Sequence, residues 1–294
     1  MTDTPVCLAI HGGAGPLKGR DYGREVGHMR GLIEAGRDRL HAGAAALDVV
    51  VETIAALEAS GFYVAGRGAS PNTAGRFELD ASLMHGPTKQ AGAVASLVGF
   101  QSPIQAARAV MERTPHVMLA GDGAAEFAAA QGLERIEDPA AWFTPAWRAA
   151  PRSDGLATGT VGCVALDAHG ALAAGTSTGG VFNKLPGRVG DSPIPGAGVW
   201  ADARVAVSCT GVGEVFIRAA VASQIAHRMQ FGRQSLREAA RASLAETAQL
   251  GGDGGLIALS AAGQIVMPFN SAGMKRAALY ADGRIVADVF GASE

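Results

Sequence analysis

The sequence predicts an α+β protein in which helices cover layered sheets. Three observations carry this. Apolar residues recur at helical spacing in both halves, apolar runs of strand length are joined by short polar turns, and strands and helices fall in blocks instead of strict alternation. With 294 residues, 48% of them hydrophobic, the chain can bury a full core as one large domain or two small ones.

In chain order, Pro5 to Ile10 is an apolar run that reads as a buried strand opening into the glycine loop His11-Gly-Gly-Ala-Gly15. Helices are expected at Arg24 to Leu40 and Ala44 to Ala59, the second with Leu47, Val50, Val51, Ile54 and Leu57 along one face. Phe77 to Met84 and Ala91 to Phe100 read as strands, Ser102-Pro103 opens a helix to Arg113, His116 to Ala120 is a short strand and Ala124 to Gln131 a helix. From Glu134 to Gly159, Pro139, Pro145, Pro151, Asp154 and Gly155 leave no sustained period, and the segment reads as a linker. Val161 to Leu166 and Ala171 to Ser177, joined by Asp167-Ala-His-Gly170, form a hairpin, and Arg204 to Cys209 is a further strand. Gly213 to Arg228 reads as one helix, and Ser235 with Glu238 makes a capping box for another that runs to Leu250. Strand-turn-strand units close the chain at Gly255 to Met267 and Ala277 to Phe290.

Composition excludes several functions. A net charge of -2 and the absence of a long Lys/Arg run offer no field for a phosphate backbone, so nucleic acid is not an expected partner. The first ten residues lack a basic segment, and the most apolar helical stretch, Ala44 to Leu57, is interrupted by Asp48 and Glu52, so neither export nor membrane insertion is expected and the location is read as cytoplasmic. Cys7, Cys163 and Cys209 are far apart inside apolar runs and read as buried free thiols.

The most informative run is Thr158-Gly-Thr-Val-Gly-Cys163, where the linker meets the hairpin. A threonine hydroxyl needs an adjacent base, and the nearest candidate is the threonine's own α-amine once the preceding peptide is cut. That amine has a pKa of about 8 and accepts a proton near neutrality, which an amide nitrogen does not. Gly159 before Thr160 allows the backbone conformation in which the hydroxyl attacks its own carbonyl. The return strand ends in Thr176-Ser-Thr-Gly-Gly180, which brings Thr176 and Thr178 back close to Thr160. A rival reading uses Gly175-Thr-Ser-Thr-Gly179 as the G-x-S-x-G of a serine hydrolase, with His11-Gly-Gly13 as its oxyanion motif. It requires a helix directly after Ser177, where the chain instead runs into glycine and proline, and the only later histidine is His227.

The runs T-V-G-x-V-A-L-D from Thr160, T-S-T-G-G from Thr176, L-P-G-R-V-G-D-S-P from Leu185 and S-C-T-G-x-G-E from Ser208 resemble, in order and spacing, the plant-type asparaginase and isoaspartyl peptidase family of Ntn hydrolases. His11-Gly-Gly-Ala-Gly15, Gly251-Gly-Asp-Gly-Gly255 and Pro268-Phe-Asn270 extend the likeness over nearly the whole chain. The resemblance implies a four-layer αββα sandwich and a precursor cut between Gly159 and Thr160, giving an α subunit of residues 1–159, with its linker at about 134–159, and a β subunit of 160–294. It implies Thr160 as nucleophile and base, Thr178 as its orienting group, the Thr210 hydroxyl and Gly211 N–H as the oxyanion hole, and Arg188 and Asp191 as holders of the substrate's carboxylate and ammonium, with Gly211 and Gly213 assisting. The implied substrates are L-asparagine and β-aspartyl dipeptides, the implied assembly is (αβ)2, and no cofactor is needed. A structural sodium ion would lie on the backbone carbonyls of Leu57, Glu58, Ser60, Tyr63, Ala65 and Arg67. The alternatives are a glycosylasparaginase on the same fold and an unprocessed, non-enzymatic amino-acid-binding member. Two departures stand out: Tyr63-Val-Ala-Gly66 replaces the family's F-N-A-G, so Val64 takes the place of an asparagine that faces the nucleophile, and His85 stands where an aspartate is common.

Overall fold

The computed structural model describes residues 5–145 and 159–291 and shows a mixed α/β chain with two sheets. The strands are β1 (Cys7–Ala14), β2 (Leu79–His85), β3 (Gln90–Leu97), β4 (Met118–Ala120), β5 (Val161–Leu166), β6 (Leu172–Thr178), β7 (Val199–Ala201), β8 (Val205–Gly211), β9 (Gly254–Ser260), β10 (Ile265–Val266), β11 (Met274–Leu279) and β12 (Ile285–Asp288). The helices are α1 (Gly23–His41), α2 (Ala46–Ala59), α3 (Pro103–Arg113), α4 (Gly121–Ala130), α5 (Pro139–Trp142), α6 (Gly213–Ala219), α7 (Val221–Gln230) and α8 (Leu236–Gln249). One sheet has the order β12-β11-β1-β5-β6-β2-β3-β4 and the other β10-β9-β8-β7, antiparallel throughout except for β3 with β4.

Three apolar cores follow from the two-residue period of the strands. Leu8 and Ile10 of β1, Cys163 and Ala165 of β5, and Ala81 and Leu83 of β2 face one way, against Met29, Ile33, Val50, Ile54, Ile104 and Val110 of α1, α2 and α3. Their neighbours Cys7, Ala9, Val164, Leu166 and Met84 face the other way and meet Ala206 of β8 and Ile257 and Leu259 of β9 between the sheets. Val205, Val207 and Cys209 leave the far side of β8 and pack on Phe216, Ile225, Ala239 and Leu244 of α6, α7 and α8.

The departures from sequence expectation have physical causes. The run His11-Gly-Gly-Ala14 is strand and not loop, because β11 pairs with it as far as Ala14 across a bulge after His11, with Gly13 at φ 99°. The single helix expected from Gly213 breaks at Ala220, which has φ 48°. The first N–H groups of α7, at Ala222 and Ser223, are then free to donate to the carbonyls of Ala197 and Gly196. Strand β7 follows Pro193 and Pro195, is three residues long and carried no sequence signal. The expected linker is packed in its first part. Ile136 and Phe143 are buried with Leu79 and Ala69, and Phe143 stacks on Phe77 at 3.8 Å. Residues 146–158 of the linker lie outside the described residues. The three cysteines are free and buried, as expected. Among the described residues no helix is long and apolar enough to cross a membrane.

One buried carboxyl ties three elements together. Glu58, at the end of α2, accepts from Ser102 Oγ (2.5 Å) and the Ile104 N–H (3.1 Å) at the start of α3, and from Ser177 Oγ (2.6 Å) in β6. Burial pushes its pKa up from 4.5 to about 7, against these bonds. Stability from a carboxyl whose pKa rises on folding is fully present below the unfolded value and is lost as pH climbs through the folded one. Thermal unfolding of Glu58→Gln should therefore show a flatter dependence of Tm on pH between about 5 and about 8 than the parent chain. An equally steep curve would remove Glu58 as the cause.

Candidate active site

The gap between the sheets is apolar at one end and polar at the other, and the same alternation produces both. Toward the apolar end the inward residues are Cys7 and Ala9, Val164 and Leu166, Leu172 and Ala174, Met84, and Ala206. Continuing two residues at a time along each strand gives His11 and Gly13 in β1, Gly162 and Thr160 in and before β5, Thr176 and Thr178 in β6, Ser82 and Asp80 in β2, and Ser208 and Thr210 in β8. The β5–β6 register pairs Val161 with Ser177, so one further step sets Thr160 opposite Thr178, and β2 places Asp80 opposite Thr178 on its other side.

Contacts in this polar end are specific. Thr160 is 6% exposed, and its hydroxyl donates to Thr178 Oγ1 at 3.3 Å. Thr178 Oγ1 donates to the carbonyl of Gly159 at 2.9 Å and accepts from the Gly180 N–H at 3.0 Å. Gly13 lies against the bond that joins Gly159 to Thr160, since a Cβ there would be 3.1 Å from both Gly159 Cα and Thr160 N. The next N–H along, at Ala14, donates to Thr210 Oγ1 at 3.2 Å, so β1 joins Thr210 to the group around Thr160. Beneath Thr160, His11 Nε2 meets Ser208 Oγ at 2.9 Å, and Ser208 Oγ meets Thr176 Oγ1 at 2.7 Å, a chain that ties the two sheets. Burial, opposed by the Thr160 backbone, pushes the His11 pKa down to about 3, so the ring is neutral. This His11–Ser208–Thr176 chain was not legible as a site feature in the sequence.

The charged groups lie in the loop after β6 and at the start of α6. Arg188 grips Glu214 with two parallel bonds of 2.9 Å, so its partner is Glu214 and not Asp191. Asp191 is 4% exposed, and its Oδ2 has no partner among the described residues. Burial pushes its pKa up to about 7, against its own backbone N–H and the Arg188 charge. Gly213 sits between the two, as a Cβ there would lie 2.9 Å from Arg188 Nη2 and 3.1 Å from Asp191 Oδ1. Gly211 ends β8 beside Thr210. Glu214 stood in the S-C-T-G-x-G-E run without an assigned role; its pairing with Arg188 is visible only in three dimensions.

Two further expectations are settled by position. Ser177 points to the helix side, is fully buried and bonds Glu58, and no helix follows it, so the serine-hydrolase reading falls. Val64 is buried against Gly159, whose added Cβ would lie 2.7 Å from Val64 Cβ, while the Val64 carbonyl accepts from the Gly179 N–H at 2.8 Å. His85 closes β2 and bonds Thr88 at the surface.

Hydroxyls seated against a peptide carbonyl, with a guanidinium and an unpaired buried carboxylate close by, place the chain among the amidohydrolases. Comparison with known proteins agrees. A family model described as asparaginase matches residues 4–154 and 143–287. The chain is 46% identical to an isoaspartyl peptidase of Salmonella typhimurium, covering 93% of this chain and 95% of that one. It is equally similar to the isoaspartyl peptidase of Escherichia coli, at 46% over 93% and 92%. It is 40% identical to a plant-type L-asparaginase of Pyrobaculum calidifontis, over 92% and 95%. The chain belongs to the asparaginase family.

Gly162 is the residue that lets the buried chain form, because a Cβ there would overlap both Ser208 Oγ and His11 Nε2. Gly162→Ala should destabilise the protein by about 1–3 kcal/mol through overpacking. Adding Ser208→Gly should recover part of the lost Tm. An unchanged Tm in the single variant would mean that the sheets separate freely at this point.

Proposed function

We propose that the chain is the precursor of an N-terminal-threonine amidohydrolase that cuts itself before Thr160 and then hydrolyses L-asparagine and β-aspartyl dipeptides. The observation that carries this reading is the position of Thr178. It accepts from the Thr160 hydroxyl while donating to the carbonyl of Gly159, so one hydroxyl both orients the nucleophile and polarises the bond it would attack. Thr160 Oγ adds to the Gly159 carbonyl carbon, the C–N bond breaks, and the hydroxyl proton ends on the Thr160 nitrogen. Water then hydrolyses the ester, leaving a carboxylate on Gly159 and a free amine on Thr160.

In the mature enzyme that amine takes the proton of the Thr160 hydroxyl as the oxygen attacks the substrate's β-carbonyl, and returns it to the departing ammonia or amino acid. Water then cleaves the aspartyl ester, freeing aspartate and restoring the Thr160 hydroxyl. Thr210 Oγ1 already accepts from the Ala14 N–H, which leaves its own proton to donate to the oxyanion, with the Gly211 N–H as the second donor. Removing one such donor typically costs about 3 kcal/mol of transition-state stabilisation. The substrate's α-carboxylate takes Arg188, and its α-ammonium takes Asp191, whose Oδ2 has no hydrogen-bond partner among the described residues. The names of the relatives, isoaspartyl peptidase and L-asparaginase, support both substrates.

With this reading go a four-layer αββα sandwich, supported by the three cores, division into residues 1–159 and 160–294, and an (αβ)2 assembly. Free buried cysteines fit a cytoplasmic location. The turn Leu57–Arg67 fits a structural sodium ion. The carbonyls of Glu58, Gly61 and Tyr63 crowd Gly66 and Gly68, where no Cβ has room. Those of Leu57, Tyr63, Ala65 and Arg67 each accept one hydrogen bond and keep a second lone pair. Such an ion would hold the turn below Val64 and takes part in no step of the reaction.

Intact-mass time courses should show two fragments meeting between Gly159 and Thr160, absent from Thr160→Ala. Gly159→Ala should slow cleavage through its clash with Val64, and Val64→Ala added to it should restore the rate. A parent chain that stays whole would sink the proposed maturation. Because Asp191 must be ionised to hold an ammonium, kcat/KM should fall as pH drops below about 7. Asp191→Asn should lower kcat/KM on the order of a hundredfold, the size expected for one member of a buried charge pair. Full activity in Asp191→Asn would assign the ammonium to another group.

A further inference from the structure

Lysine is rarely buried unless it is paired, yet Lys184, in the glycine-rich loop after β6, is only 3% exposed. Its Nζ donates to two backbone carbonyls, Glu78 at 2.7 Å and Gly179 at 3.1 Å. Gly179 belongs to the turn Thr178–Gly180 that orients Thr160, and a Cβ on Gly180 would lie 2.6 Å from Lys184 Nζ. Glu78 reaches the opposite way. Its buried carboxylate accepts the Gly187 N–H on both oxygens, at 3.0 and 3.2 Å, next to Arg188. The Lys184 carbonyl takes the Thr73 N–H at 2.9 Å, which fixes the loop from its other side. Asp80, fully buried and opposite Thr178, supplies countercharge, and Lys184 and Arg188 are the cations whose fields reach it.

A single rigid link thus joins the group that aims the nucleophile to the group that holds the substrate's carboxylate. We propose that Lys184, with Glu78, is a positioning residue that sets the distance between the Thr178–Gly180 turn and the Gly187–Asp191 loop. That distance selects substrates with one methylene between the α-carbon and the scissile carbonyl, and so discriminates β-aspartyl from γ-glutamyl compounds. The inference rests on the reading of the site given above. None of its atoms touches the reacting bond, so its effect is on geometry and specificity.

The test compares the matured parent with Lys184→Met and Glu78→Gln on β-aspartyl-leucine and γ-glutamyl-leucine, with self-cleavage followed by mass. Loss of the link should raise KM for the β-aspartyl dipeptide and shrink the ratio of kcat/KM between the two dipeptides by about tenfold, the scale on which one methylene is discriminated. A merely structural role would lower the folded fraction, which reduces both activities together and leaves the ratio and KM unchanged. Should Lys184→Met fail to fold, Glu78→Gln decides, because it keeps both carbonyl bonds of Lys184 and weakens only the hold on Gly187. An unchanged ratio and KM in a folded variant overturn the inference. A parent that neither cleaves nor hydrolyses β-aspartyl-leucine overturns the underlying reading instead.

Discussion

Everything at the site depends on how closely the two sheets face each other. Small inward side chains make that approach possible: Ala9, Ala174, Ala206 and Gly162 lie where larger residues would hold the sheets apart. In a gap this narrow, alternate residues of five strands meet, and whatever chemistry they carry is forced together. Where they are alkyl, they form a dry core. Where they are hydroxyl, imidazole or carboxylate, burial leaves them mainly one another as partners, and an unpaired buried polar group costs about 1–3 kcal/mol. The His11–Ser208–Thr176 chain and the Thr160–Thr178–Gly159 chain are the outcome of that requirement.

The exceptions to satisfaction are informative. Asp80 and Asp191 each keep one carboxylate oxygen without a partner among the described residues, and burial raises both pKa values, to about 6 and about 7. Nearby cations offset this burial only in part, and a partly compensated buried charge is destabilising. Arg188 is treated differently, since Glu214 neutralises it at the mouth of the site. Asp191 has no such ion pair: the Arg188 charge reaches it, but its Oδ2 has no hydrogen-bond partner among the described residues.

Val64 changes the character of the wall beside Thr160 and Gly159. An asparagine there would offer an amide; valine offers only methyl groups, and they pack on Gly159. The Val64 backbone still serves the site, because its carbonyl holds Gly179 in the turn that Lys184 grips from the other side. Side-chain chemistry at this position is therefore free to differ while the backbone role is kept.

By itself, the sequence determined most of the elements and nearly all of the polar residues involved. Helical and strand periods located α1, α2, α3, β5, β6 and the capping box at Ser235, because each is a local pattern with a local cause. Thr160, Thr178, Arg188 and Asp191 were singled out because their runs resemble those of a known family. Tertiary structure decided what no local pattern contains. It extended β1 through two glycines because β11 pairs on either side of them, at His11 and Ala14, broke a helix at Ala220 where two carbonyls take the next N–H groups, and buried part of a proline-rich segment around Phe143. It also chose partners: Glu214 for Arg188, Ser208 for His11 and two carbonyls for Lys184. The physical reason is the same in each case. Propensity and period act over a few residues, whereas a buried donor or charge takes whichever acceptor packing brings within 3 Å or so, and those acceptors come from strands and loops far apart in the chain.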